Sequence, residues 1–104
     1  MPQRLNQATH KSDEVQGEGS FVVLRRQTLG EETKHVALVR QGEVREAARS
    51  AILACVLDWN WVDDEGRPLP LPSKGLDLDL LTDDEVGFLV TKITGKKEPE
   101  QGKN

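Results

Sequence analysis

Three prolines at alternate positions, in Pro68-Leu69-Pro70-Leu71-Pro72, exclude a helix interior and a central strand from that stretch. Each removes a backbone donor and fixes φ at about −65°. The run must be extended, with polyproline II character, and it divides the chain into a part before it and a part after it. It lies inside Trp59 to Leu81, which holds both tryptophans and three of the five prolines. Leu69 and Leu71 need cover from the domain body or from a partner. Because proline and tryptophan faces stack well, the expected arrangement is an internal strap lying on Trp59 or Trp61. A ligand for an aromatic-grooved module is the alternative.

The ends of the chain are poorer in apolar side chains than the middle. Residues 1–19 carry only scattered ones and residues 96–104 carry none. A flexible N-terminal arm over 1–19 and a disordered C-terminal tail over 96–104 are expected, around one small globular domain at 20–95. A core of that size supplies roughly 3–5 kcal/mol, so complex formation or homo-oligomerisation becomes a natural source of further stability.

Within 20–95 the elements can be placed from pattern. Ser20 to Arg26 is dense in β-branched and aromatic residues and predicts a strand. Its partner is left open among a stretch near Leu5 and Val15, the Trp61-Val62 segment and a neighbouring subunit. Thr28 with Glu31, and Thr82 with Glu85, have the spacing of capping boxes. They predict helices near 29–41 and 83–94. Between them, Val44, Ala47, Ala48, Ala51, Ile52, Cys55, Val56 and Trp59 recur at steps of three and four, predicting a helix near 43–59. The fold class is therefore mainly α, of the α+β type, with three helices, a short strand near 20–26 and a proline-rich strap.

Charge and chemistry narrow the function. The formal net charge of −4 argues against a nucleic-acid partner held by phosphate neutralisation. Residues 58–95 hold nine acids against three bases, a local −6, which reads as a solvated acidic face or as a surface for a basic partner. A single cysteine, Cys55, excludes an internal disulfide and reads as a buried thiol in an intracellular protein. No run approaches the roughly 18 consecutive apolar residues of a membrane span, and no membrane partner is expected. His10, His35 and Cys55 lack the clustered spacing of a metal site. The acids of Asp58 to Gly66 miss the alternation and the distal glutamate of a calcium loop. No phosphate-binding glycine loop or activated nucleophile is present. The expectation is a binding protein with no enzymatic activity, cofactor or metal. On the general enrichment of tryptophan in binding hot spots, Trp59, Trp61, Leu69 and Leu71 are the candidate contact residues. The competing expectation is that all four are core.

A resemblance supplies a biological setting. The order of a Phe-Val-Val-Leu-Arg-Arg strand, a capped helix, an alanine-rich helix ending Leu-Asp-Trp-Asn-Trp, an Asp-Asp-Glu-Gly turn, a Pro-Leu-Pro-Leu-Pro-Ser strap and Leu-Asp-Leu-Asp-Leu-Leu-Thr-Asp-Asp-Glu opening a last helix resembles the tail assembly chaperones of long-tailed bacteriophages. The similarity spans residues 20–95. It implies a non-enzymatic protein of the host cytoplasm that binds and solubilises the tape-measure protein and helps tail-tube subunits assemble around it. The alternative setting is the virion, as a head–tail connector or tail-terminator ring subunit, motivated by a strand at 20–26 with no evident partner in its own chain.

Chaperones of the resembled family are commonly made in two forms, the longer by ribosomal slippage near the end of the short frame. Gly95-Lys96-Lys97 and Gly102-Lys103 each contain a glycine–lysine pair, which a G-run glycine codon followed by an A-run lysine codon would suit to such slippage. Sequencing the coding DNA is expected to show a slippery heptamer over one of them and an overlapping downstream frame. A region with neither feature removes this expectation.

Overall fold

The computed structural model describes residues 5–95, and the tail expected over 96–104 lies outside them. The chain forms β1 (Gln7–Lys11), α1 (Asp13–Gln16), β2 (Phe21–Arg25), α2 (Leu29–Arg40), α3 (Val44–Cys55), β3 (Val56–Trp59) and α4 (Asp83–Thr94), with 3-10 turns at Pro72–Lys74 and Leu78–Leu80. The fold is α+β, a three-stranded antiparallel sheet in the order β1-β2-β3 with helices packed on it.

β2 is the central strand, since it alternates half-buried and buried residues and its inward pair, Val22 and Leu24, is almost wholly covered. β1 pairs with it on one side, with Gln7 opposite Arg25 and Lys11 opposite Phe21. β3 pairs on the other. The strand that lacked an evident partner therefore has two within its own chain, and the motive for pairing it with a neighbouring subunit falls away.

Residues 7–16, expected to lie in a flexible arm, instead form β1 and α1. The reason is physical. An outer strand facing water needs few apolar residues, and β1 sets only Ala8 and His10 opposite the inward pair Leu24 and Val22, with His10 alone half-buried. Ser12 is buried through its hydroxyl and not through apolar contact. Its Oγ donates to Ser20 Oγ at 2.7 Å and accepts the Trp61 indole N–H at 3.0 Å. Ser20 Oγ in turn donates to the Gly17 carbonyl at 2.7 Å, so every hydroxyl of this buried chain has a partner.

The helix expected near 43–59 stops at Cys55, and Val56–Trp59 is strand. Val22 pairs with Trp59, Val23 with Asp58 and Leu24 with Val56, which leaves Leu57 as the extra residue of a bulge. The bulge puts Val56 and Trp59 on the same buried face although they are three apart. A helix gives the same spacing, so the periodicity carried straight through the junction.

Both capping boxes form, with Thr28 and Thr82 accepting the N–H of Glu31 and Glu85 while the two glutamates reach back to the cap amides. Gly95 closes α4 in the left-handed region at φ 70°, where a Cβ would be strained. α3 and α4 pack against each other and close the core with the sheet: Ala51, Ile52 and Cys55 of α3 and Phe88, Leu89 and Ile93 of α4 join Val22, Leu24, Val56, Trp59 and Trp61. α2 packs on α3. Ala47 and Ala51 face that side, and their small side chains allow close helix approach.

Replacing Ser12 by Ala strands the buried Trp61 N–H and breaks the hydroxyl chain, and is expected to destabilise the fold by about 1–3 kcal/mol. Urea unfolding followed by tryptophan fluorescence measures it. An unchanged midpoint would show that Ser12 is not a fastener of the N-terminal segment.

Candidate functional site

Trp59 ends β3 and Trp61 lies two residues on, so both indoles project to the same side of the chain. They stack at 4.6 Å between centroids with planes 6° apart, and Phe88 of α4 meets Trp61 at 6.3 Å and 49°. The strap lies against them, as expected. Trp59 Nε1 donates to the Leu69 carbonyl at 3.1 Å, and the Leu69 N–H donates to the Trp61 carbonyl at 2.9 Å. A short hairpin feeds the strap, with Val62 bridged to Pro68 across the Asp63–Gly66 turn. Asp63 Oδ1 accepts the amides of Glu65 and Arg67, and these hydrogen bonds hold its carboxyl below the usual range.

The structure thus brings Trp59, Trp61, Leu69 and Leu71 together, but inside. Trp61 is fully buried and Trp59 is 7% exposed. Leu69 and Leu71 are half-buried against the same cluster. A domain this small needs its largest side chains to fill its core, so the two tryptophans present almost no area to a partner. The expectation that they form a contact patch gives way to the competing one.

Uncovered apolar surface lies elsewhere. α2 is twelve residues long and buries none of them. One side of it faces α3 through His35 and Leu38, leaving a half-open cleft of about 190 Å³ beside Ala47, Ala51 and Ala54. His35 Nδ1 is buried there with no hydrogen-bond partner among the described residues. The other side carries Leu29, Val36 and Ala37 in a shallow groove of about 600 Å³, flanked by Glu32, Thr33 and Arg40. Leu29 is 80% exposed. Leu29, Val36 and Ala37 carry no tryptophan-like signal in the sequence. The available signal was that α2 carries apolar residues on two sides, at positions 29, 36 and 37 and at position 38, and a surface helix can turn only one of them to the body.

What fastens α2 is largely polar. Arg25 makes a two-pronged ion pair with Glu31, both N–O distances being 2.9 Å. Arg25 and the Thr28 amide together hold the Glu31 carboxyl down to about 2. The remaining titratable groups offer little for chemistry. Cys55 is fully buried, and that burial pushes its thiol pKa up. His10 is held below its usual value by burial and by the Lys92 ammonium. Among the described residues no three His, Cys, Asp or Glu side chains gather as a metal site, and no helix is long and apolar enough to cross a membrane.

No family model, no curated protein and no solved structure matches the chain. The described residues form a small α+β domain with an aromatic-centred core and an apolar row on α2 left uncovered.

Because the folded-state pKa of Glu31 is depressed, its contribution to holding α2 is complete above the unfolded value of 4.5 and is lost as pH falls through about 2. The protection of the α2 amides, taken as exchange relative to the unfolded-chain rate at the same pH, is expected to fall across that window. In Glu31→Gln that protection should already be low at neutral pH and change less on acidification. Equal pH profiles for the two proteins would refute the role given to this pair.

Proposed function

We propose that this chain is a non-enzymatic binding protein that holds an apolar helix of its partner against the outer row of α2, and that it serves as a tail assembly chaperone for a tape-measure protein in the host cytoplasm. The observation that carries the binding role is a capped twelve-residue helix with no buried residue and an open row of Leu29, Val36 and Ala37. Apolar rows rimmed by polar residues mark interaction sites, and helix-on-helix docking uses such spacing. Fully burying a side chain such as Leu29 contributes about 1.5–3 kcal/mol. The partner's identity rests on the resemblance of residues 20–95, since a tape-measure protein is a long chain of apolar-faced helices that must be kept soluble until tail-tube subunits enclose it.

Co-expression tests this reading. The tape-measure protein is expected to be soluble with the wild-type chain and to be lost to the pellet, at least several-fold, with Leu29→Asp or Val36→Asp. Neither residue belongs to the core, so both variants should keep the wild-type circular dichroism. Solubilisation that survives both substitutions would remove α2 as the surface. Mass spectrometry of finished particles separates the virion alternative: a chaperone is absent, whereas a connector or terminator is present in fixed ring stoichiometry.

A further inference from the structure

β1 is the outer strand of the sheet, and its hydrogen-bond phase is fixed at both ends. The Asn6 carbonyl accepts the Arg26 N–H at 2.9 Å, and the Ser12 N–H donates to the Ser20 carbonyl at 3.1 Å. With Ala8 opposite Leu24 and His10 opposite Val22, the even-numbered residues turn their backbone groups toward β2. In an antiparallel ladder the alternate residues then turn theirs away. Gln7, Thr9 and Lys11 therefore direct N–H and C=O groups to an open edge, and all three are exposed. Such an edge is a template for one more strand.

Beside that edge, between β1 and the end of α4, runs a groove of about 530 Å³. Ala8 and Leu24 give it an apolar floor, and His10, Arg26, Thr91 and Lys92 stand around it. Among the described residues no aspartate or glutamate lines it, in a chain whose net charge is −4. Arg25, which also lines it, is taken by Glu31. Arg26 and Lys92 are in no ion pair among the described residues. The last carbonyls of α4 carry the opposite sign, and Lys92 stands in that same turn, so the anion preference of the groove rests on Arg26 and Lys92 together.

We propose that an extended acidic segment of a partner protein adds to β1 as a fourth strand, with alternate carboxylate side chains entering this groove. The open backbone of Gln7, Thr9 and Lys11 would supply affinity, as in other strand additions, and the side-chain groove would supply selectivity. Charge selects this occupant over a second copy of the chain, because a second β1, Gln7–Lys11, would offer no carboxylate to Arg26 and Lys92. The site is separate from the α2 row and stands or falls independently of it.

The full chain, labelled with nitrogen-15, would be titrated with a capped eight-residue peptide of alternating valine and glutamate. The amide signals of Gln7, Thr9 and Lys11 are expected to shift most, with binding weakening as salt is raised. Lys92→Glu and Arg26→Glu, both at exposed positions, should each weaken binding at least ten-fold while leaving the remaining spectrum intact. Thr9→Pro removes the central outward N–H and should abolish binding; because that change could also disturb the sheet, the two charge reversals carry the test. A valine–lysine peptide should not bind. Shifts confined to other residues, or affinity unaltered in both charge variants, would overturn the proposal. So would an oligonucleotide that shifts the same amides as strongly, which makes the groove a general anion site, or concentration-dependent shifts at β1 without peptide, which makes the edge a dimer contact.

Discussion

The stacked pair of Trp59 and Trp61 is the contact on which the other elements depend. Each indole must hide a large apolar face and still satisfy one N–H, and the two N–H groups point to different parts of the chain. Trp61 reaches Ser12 and Trp59 reaches the Leu69 carbonyl. One aromatic stack therefore ties down the N-terminal segment and the strap at once, with Phe88 bringing α4 to the same place. Buried indoles without those acceptors would carry the desolvation of two unpaired donors, so the neighbouring loops are folded partly by the needs of the tryptophans.

A second polar connection reinforces the first. The Gln16 side-chain amide donates to the Val62 carbonyl at 3.0 Å and to buried Glu85 at 2.7 Å, while its oxygen accepts the Val62 N–H at 2.9 Å. Glu85 also caps α4 by accepting the Thr82 N–H. α1, the chain entering the strap and the start of α4 are thus joined through a single amide. For a domain with so small a core, such shared hydrogen bonds supply specificity of arrangement where apolar area is limited.

α2 stands apart from this assembly. It joins none of the central cluster and is fixed by its own caps, a partly filled contact with α3 and the Arg25–Glu31 pair. Elements with few buried contacts sit at the low end of local stability. On the proposed binding role, part of the apolar surface of α2 stays outside the domain so that it can engage another helix.

Much of this architecture was legible in the sequence because its signals are local. Two Thr-x-x-Glu boxes, a run of β-branched residues and alternating prolines fixed three helix or strand starts and one strap, since caps, side-chain branching and a missing N–H act within a few residues of themselves. What stayed hidden depends on pairing at long range. β1 is too polar to announce itself and exists because β2 offers an edge. β3 hides in a helical period because a bulge at Leu57 restores the same spacing. The tryptophans read as a contact patch until Ser12, nearly fifty residues away, is seen to satisfy one of them from inside. Burial is a property of the assembled chain, so tertiary structure alone decided which apolar residues fill the core, as Trp59 and Trp61 do, and which remain on the surface, as Leu29 does.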